Sequence, residues 1–520
     1  MSAITGHDMY DVAIVGFGPS GAIAAGLLGE KGIRTFVCDK LQGVYDKPRA
    51  IALDHEILRV FQQMGLSDKI KPFLEPFTDS VYYGVDGQVI KRMSTVAAPY
   101  PLAHTPSVVF TQPPVEKILR EYAQSHESVT VELGLTLTNL VQDANATSLT
   151  LMHEDGSSSV VKAKYTIGCD GASSSVRGLV GIELEDLGFD EPWLVIDVMV
   201  NERGLAKLPT TSVQYCNPKR PATYVIGPGN HRRWEISINE GENPAELATP
   251  EGAWKLLAPW INEEEGTLWR QASYRFHALV ANQWRMGRVF VAGDSAHQQP
   301  PFLGQGMCQG VRDVVNLCWR LEAVLTGGAK DTLLDSYSTE RKAHVTELTT
   351  RIKGIGRIIT ERSVELARTR DAKLLADCGG VVTPMPRQDV QPALSAGLLG
   401  SLVHPARGTI FPQPLLKGVG VGSNGVRMDE VYPAGWKVVL SANADEGFVQ
   451  ACQNHQRGPH LRCLRLGTPA LIELEGVLGK WFETHGVHAA IIRPDHYIFG
   501  VCKTPQDVSA QLGELKEFVE

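Results

Sequence analysis

The sequence predicts an α/β protein of several structural units, and three observations carry that prediction. The chain has 520 residues, more than one hydrophobic core ordinarily holds, so two to four units are expected. Residues 11–39, DVAIVGFGPSGAIAAGLLGEKGIRTFVCD, read as strand, glycine turn, helix and second strand. Residues 186–280 change to the two-residue alternation of antiparallel strands, in TSVQYC, ATYVIG and RRWEISI. Hydrophobic content of 43% and charged content of 21% are those of a globular protein. A formal net charge of −8 without a long basic run points away from nucleic acid and anionic membranes. No apolar run approaches the roughly 20 residues that span a bilayer, and MSAITGHDMY lacks the basic and apolar regions of a signal peptide. The nine cysteines are scattered, odd in number and free of CxxC pairs. A reducing cytoplasm is expected, with no disulfide framework and no metal site.

The first unit opens on Asp11–Val15, a short apolar strand. Gly16, Gly18 and Gly21 then form GxGxxG, with the tight turn at Gly16, close approach of a pyrophosphate at Gly18, and helix–strand packing at Gly21. The small residues Ala25 and Gly26 follow, and a second strand ends at Asp39, with Lys40 next. Asp39 lies 18 residues beyond Gly21, near the ~20 at which an acid meets ribose hydroxyls in this Rossmann-like fingerprint. Gly420, Gly422 and Gly425 repeat GxGxxG without a leading strand or a following amphipathic helix. They are read as a turn, so one dinucleotide unit is expected rather than two.

Residues 1–185 form this first unit, with EKILREYAQ as one of its helices and 81–104 available to the neighbouring sheet. Residues 186–280 form the mostly antiparallel sheet, expected as the substrate domain. The chain returns to the first unit over 281–375 through RVFVA, then GDSAHQQPPFLGQG at 293–306, then a helix from VRDVVNLCWRLEAVL. A helix N-terminus beside bare glycines suits an anionic or polar ligand. Residues 331–375 read as a long, mixed-charge, solvated helical connector. PMPRQDVQP is a linker, and 386–520 form a last unit containing WKVVL, ADEGFVQACQNH and RPDHYIFGVC.

GFGPSG, then Asp170, Gly171, Ser175 and Arg177 in GCDGASSSVR, then GDSAHQQPPFLGQG, resemble in order the single-component FAD-dependent aromatic hydroxylases of the 4-hydroxybenzoate and phenol hydroxylase superfamily. The likeness covers residues 10 to about 350. A closer similarity, to the 3-(3-hydroxyphenyl)propionate hydroxylases, lies in KPRAIALDHEILRVFQQMGL (47–66), FTQPPVEKILR (110–120), YCNPKRP (215–221) and RRWEISI (232–238). One departure is Cys308, where the family usually carries Asn. The resemblance implies a thioredoxin-like C-terminal domain over 386–520 whose role, without CxxC, is structural or a dimer contact.

It also implies FAD, with NADH or NADPH as reductant and O₂ as the oxygen donor. Gly16, Gly18, Gly21, Asp39, Lys40, Arg49, Gln112, Asp170, Asp294, Pro301, Gly304, Gln305 and Gly306 are the implied cofactor contacts. Of these, Asp294 and Gln112 face the ribityl chain, Arg49 lies beside the flavin ring, and the 304–306 turn offers it backbone amides. The implied reaction is hydroxylation of a phenol ortho to its hydroxyl through a flavin C4a-hydroperoxide, with a 3-(3-hydroxyphenyl)propionate-like substrate; another phenol, a resorcinol, a hydroxypyridine or a polyketide aromatic would undergo the same chemistry. A base near the hydroxyl would activate the ring. Asp54 is a candidate, although an N-cap role before HEILRVF competes, and His55 and His297 read as structural. Tyr215, Tyr224, Arg220 and Arg233 are candidate substrate contacts, the arginines as partners of a carboxylate. A flavin-dependent halogenase lacks support because WxWxIP is missing, and a non-catalytic FAD-binding regulator because the motif set is intact.

Overall fold

The computed structural model describes residues 9–417, 425–455 and 461–519. The N-terminal octapeptide and most of the second GxGxxG, including Gly420 and Gly422, lie outside the described residues. The first unit is built on a sheet whose central strands, Ser158–Gly168, Tyr10–Val15, Thr35–Asp39 and Val129–Leu133, run parallel. Val12–Val15 and Phe36–Cys38 are unbroken apolar, buried runs rather than alternating ones, as a sheet buried on both faces requires. Helices Pro19–Glu30, Gln112–Gln124 and Gly306–Thr326 cover it. Val289–Val291 extends the parallel order beside Ser158–Gly168 and delivers the chain to the loop at Gly293.

The second sheet has nine strands. Its centre is Gly266–Ala281, Leu184–Val200, His231–Ser237, Ala222–Ile226 and Ser212–Tyr215, paired antiparallel in that order. Ser80–Tyr83 joins parallel to Ser212–Tyr215, Val89–Ser94 follows, and Met385–Pro386 closes that edge. One face carries Val213, Tyr224, Trp234 and Ile236 in an apolar layer covered by Trp254 and Trp260. The opposite face looks toward the first unit, with Arg233 reaching the Arg49 carbonyl.

The last unit has strand order Arg462–Arg465, Lys437–Leu440, Ala489–Ile492, Ile498–Cys502, with the first pair parallel and the others antiparallel. With helices Glu446–Asn454, Val477–His485 and Pro505–Val519 it gives the expected thioredoxin-like order. All nine cysteines are free thiols. Among the described residues no helix is long and apolar enough to cross a membrane.

The connector over 331–375 differs from expectation. Helix Asp335–Thr360 is not solvated: Tyr337, Glu340, Arg341, His344 and Val345 are buried on it. Its charges pair across units instead. Glu340 accepts from Arg320 (2.7 Å), from both terminal nitrogens of Arg493 (2.8 Å each) and from Asn316 (2.9 Å). Arg493 belongs to the last unit, so the pair bolts that unit to the first. Arg59–Asp429 at 2.6 Å is a second such bolt.

Burial pushes the Glu340 carboxyl up, but Arg320 and Arg493 outweigh it and hold the pKa at about 2. A carboxylate depressed on folding stabilises above its unfolded pKa of about 4.3 and loses that contribution as pH falls through the folded value. Glu340→Gln leaves two buried guanidinium groups short of a counter-charge and is expected to cost about 3–5 kcal/mol. In thermal unfolding at pH 7 the variant unfolds earlier, and the gap closes as the pH approaches 2. Equal unfolding temperatures at pH 7 would contradict the bolt.

Candidate active site

The N-terminal glycines divide by what each must avoid. Gly16 has φ +100°, and a Cβ there would lie 2.3 Å from the Cys169 carbonyl oxygen; at Gly21 it would lie 2.0 Å from the Gly16 oxygen. Protein packing alone therefore demands both. At Gly18 a Cβ would meet nothing within 4 Å. Helix Pro19–Glu30 starts at Gly18 without a side-chain cap, leaving first-turn amides available to a phosphate group. Asp39 accepts from the Phe17 amide at 2.7 Å and the Leu41 amide at 2.8 Å, which fixes the turn at the strand end. Lys40 is exposed beside it.

The second segment of the cleft is held from behind. Asp313, buried in helix Gly306–Thr326, accepts from the Gly293 amide (2.9 Å), pairs with His297 (2.8 Å) and binds Arg341 (2.8 Å). Burial raises its carboxyl, and His297 and Arg341 more than compensate, holding it below the usual carboxylate range. Asp170 accepts from Ser174 (2.5 Å), Ser295 (3.0 Å) and the Val176 amide (3.0 Å). The serine of the motif that engages it is thus Ser174, not Ser175. Arg177 adds a bond to the Ser295 carbonyl at 2.9 Å. Asp294, between these clamped neighbours, is exposed and accepts no hydrogen bond from the protein. An anionic acceptor held rigidly in a cleft suits a polyhydroxyl chain.

Gly304 takes φ +64° in a turn closed by its amide on the Pro301 carbonyl at 2.7 Å. Gly306 begins the next helix with open space where a Cβ would be. The Gln305 side chain turns away and accepts from Arg312 (3.1 Å) and Gln391 (2.7 Å). Cys308 is buried, its Sγ 3.9 Å from the Ala52 carbonyl. Arg49 is exposed over the Tyr45 ring at 5.5 Å. Gln112 is buried; its carbonyl oxygen holds the Ala50 amide at 2.6 Å and its amide reaches Glu116, so it positions the Pro48–Ala50 segment.

Facing this cleft, the sheet presents two cross-strand rows. One is Gln214, Thr223, Glu235 and Val195; the other is Ser212, Val225, Arg233, Asp197 and Arg270. Tyr215 and Tyr224, expected at the pocket, are corrected by the pleat: each is one residue out of phase and lies on the opposite face, packed with Trp260 and Trp234. Arg220 pairs with Glu242 through two contacts (2.9 and 2.5 Å). Arg233 lies on the cleft face but grips Asp197 (2.7 and 3.2 Å) and the Arg49 carbonyl (2.8 Å). Both arginines already hold protein carboxylates.

Two cavities share Leu303 and Arg387 as walls. The smaller, only partly enclosed, lies between the sheet (Ser212, Gln214, Thr223, Glu235) and the Pro301–Gly304 turn. The larger, about 260 Å³, lies behind Gln305 against the last unit and is bordered by Asp54, His55 and Tyr497. Asp54 there caps helix His55–Gln63 through the Glu56 amide (3.1 Å) and the Ile57 amide (3.3 Å) and binds Arg312 at 2.6 Å. Burial raises its carboxyl, Arg312 overrides burial, and the net shift is downward. A carboxylate so engaged is a weak proton acceptor. His55 is pushed down to about 4 by burial.

Glu235 is a cavity residue that no sequence motif marks. It lines the smaller cavity, is 5% exposed and accepts no hydrogen bond. Burial raises its pKa to about 7 despite Arg233. Its signal was present as a lone acid in the alternation of RRWEISI. Among the described residues no group of three or more His, Cys, Asp or Glu is placed to hold a metal ion.

Comparison with known proteins places residues 9–352 in the family described as FAD binding domain, and 408–518 in the HcaD C-terminal domain family. A probable NADH-specific resorcinol 4-hydroxylase of Rhodococcus jostii (strain RHA1) is 35% identical, covering 98% of this chain and 95% of its own length. A 3-(3-hydroxy-phenyl)propionate/3-hydroxycinnamic acid hydroxylase of Mycobacterium sp. (strain JLS) is 30% identical over 97% and 92%. Among solved structures, the flavin-dependent monooxygenase PieE with FAD and substrate matches at TM-score 0.82 and 20% identity, covering 98% of this chain and 99% of its own. Aklavinone-11 hydroxylase with FAD and aklavinone matches at 0.79 and 22%, covering 99% of each. These two likenesses are of fold.

The glycine geometry yields a separable test. Gly18→Ala should fold with wild-type thermal stability yet retain FAD poorly, whereas Gly16→Ala should fail to fold. Asp294→Ala should lower FAD affinity by about 1.5–3 kcal/mol for each charge-assisted bond lost. FAD dissociation constants by fluorescence check both; unchanged values in Gly18→Ala and Asp294→Ala would contradict the assignment.

Proposed function

The chain belongs to the single-component FAD-dependent aromatic hydroxylases, and we propose that its substrate is a small, neutral, resorcinol-type phenol oxidised with NADH as reductant. The observation that carries this reading is the charge of the sheet face. Arg220 and Arg233 are committed to Glu242 and Asp197, and the polar groups that the sheet itself leaves at the smaller cavity are Ser212, Gln214, Thr223 and Glu235, with Arg387 on the wall opposite. Neutral hydroxyls hydrogen-bond to such a set, while an acid tail there would meet Glu235. The relative named as an NADH-specific resorcinol hydroxylase supports the same choice.

FAD, when bound, would supply the redox chemistry of an NADH- and O₂-dependent hydroxylation. The residues present fit it: bare backbone at Gly18, an unpartnered carboxylate at Asp294 and a glycine turn at 304–306. The protein's own work is to orient and to keep water out. Thr223 donates to Gln214 at 2.6 Å, which leaves the Gln214 amide to meet a substrate oxygen. Phe302 forms one wall and packs on Trp193 (5.6 Å) and Phe276 (6.2 Å), an apolar backing that excludes solvent.

Arg387 favours a second reading, the arylpropionate one. It is the cation on the smaller cavity's wall and also borders the larger cavity, where an acid tail would fit. The division into a cofactor unit (1–185 with 281–375), a substrate sheet (186–280) and a last unit (386–520), a homodimer contact through that last unit, and a cytoplasmic location belong to the same proposal.

Substrate-stimulated NADH oxidation with product analysis separates the readings. Resorcinol should exceed 3-(3-hydroxyphenyl)propionate in kcat/KM by 10-fold or more, about 1.4 kcal/mol. Preference for the acid, abolished in Arg387→Met, would establish the second reading instead.

A further inference from the structure

The geometry points to Glu235 as the group that takes the proton from the substrate's phenolic hydroxyl. This role rests on the hydroxylase reading above and names the residue that activates the ring.

Position comes first. Strand His231–Ser237 puts Trp234 and Ile236 into the apolar layer, so Glu235 must point the other way, into the cavity beside the Pro301–Gly304 turn. It stands in one cross-strand row with Thr223 and Gln214. Thr223 donates its hydroxyl to Gln214 at 2.6 Å, neither side chain donates to Glu235, and Glu235 is left without a donor. A buried carboxylate lacking hydrogen bonds is costly unless something arrives to bind it. A phenolic O–H supplies that missing donor.

The surrounding charges permit the role. Arg233 lies on the same strand, Asp197 on the adjacent strand, Arg270 and Tyr274 on the strand beyond, and Arg387 across the cavity. Asp197 binds Arg233 and stands 3.7 Å from Arg270, which tempers the pull of those two cations on Glu235. With burial dominant, the carboxyl titrates at about 7, where a general base is most useful near neutral pH. Other acceptors are committed elsewhere: Asp54 to Arg312 and its helix, and Tyr82 to the Met93 sulfur at 3.2 Å.

The step is a simple transfer. The substrate O–H bond breaks, a carboxyl O–H bond forms on Glu235, and the electron pair stays on the phenolate oxygen. From there it enriches the ortho and para carbons that receive the new oxygen. The carboxyl releases its proton to solvent when product leaves.

Glu235→Gln keeps the shape and removes the acceptor. In the FAD-loaded enzyme with resorcinol, the wild type should form product with an ionisation near pH 7, rising above it. The variant should retain FAD and thermal stability but form at least 10-fold less product per NADH at pH 7. It should recover as the pH passes the phenol's own ionisation at about 10, or with a nitrophenol already ionised at neutral pH. Wild-type coupling and pH profile in the variant would overturn the role. Should the variant not fold, the wild type still decides by ultraviolet difference spectra of bound resorcinol. Phenolate absorbance well below pH 9 supports the role; a substrate that stays neutral until its free ionisation overturns it. A phenol response in the wild type that Glu235→Gln leaves intact sinks this role alone, whereas no phenol response in the wild type sinks the substrate reading and this role with it.

Discussion

The buried Asp197–Arg233 pair is the link on which the site's geometry depends. Arg233 spends one face of its guanidinium on Asp197 and another nitrogen on the Arg49 carbonyl. Arg270, near Asp197 on the neighbouring strand, binds the Pro48 carbonyl. Two arginines of the sheet thus hold two successive carbonyls of the cofactor unit. Their spacing sets how far the sheet stands from the cleft. The cavity carrying Glu235 is what that spacing leaves open.

The cleft itself follows a related principle: ligand-facing groups are kept unengaged because buried carboxylates behind them do the holding. Asp313 clamps Gly293 and His297, and Asp170 clamps Ser295, so Asp294 between them is fixed without spending its own oxygens. Gln112 likewise fixes Ala50 while Arg49 stays exposed. Preorganisation of this kind lets a ligand collect hydrogen bonds without paying again for order in the loop.

Much of this was legible in the sequence, for a physical reason. Glycine positions, strand periods and the acid after the second strand are local signals, and the structure brings the residues they mark to one strand–helix turn. The sheet was visible from alternation, but alternation has no absolute phase: nothing local says which of two faces is wet. Tyr215 and Tyr224 drew attention as polar aromatics and lie on the packed face, whereas Glu235, one residue after Trp234, faces the cavity. Partners distant in sequence were equally invisible. Arg220–Glu242 spans 22 residues and Arg493–Glu340 spans 153, so charges that read as surface or substrate contacts are structural. The mixed-charge helix Asp335–Thr360 misled for the same reason.

The central claim is that the phenol binds between the sheet and the Pro301–Gly304 turn, against Glu235, and not in the larger cavity behind Gln305. A crystal structure of the FAD-loaded protein with resorcinol tests it most directly. The account predicts ring density on the sheet side, with a hydroxyl within hydrogen-bond reach of Glu235 and the other near Gln214 or Thr223. Density for the ring beside His55 and Tyr497, with Glu235 untouched, would contradict it.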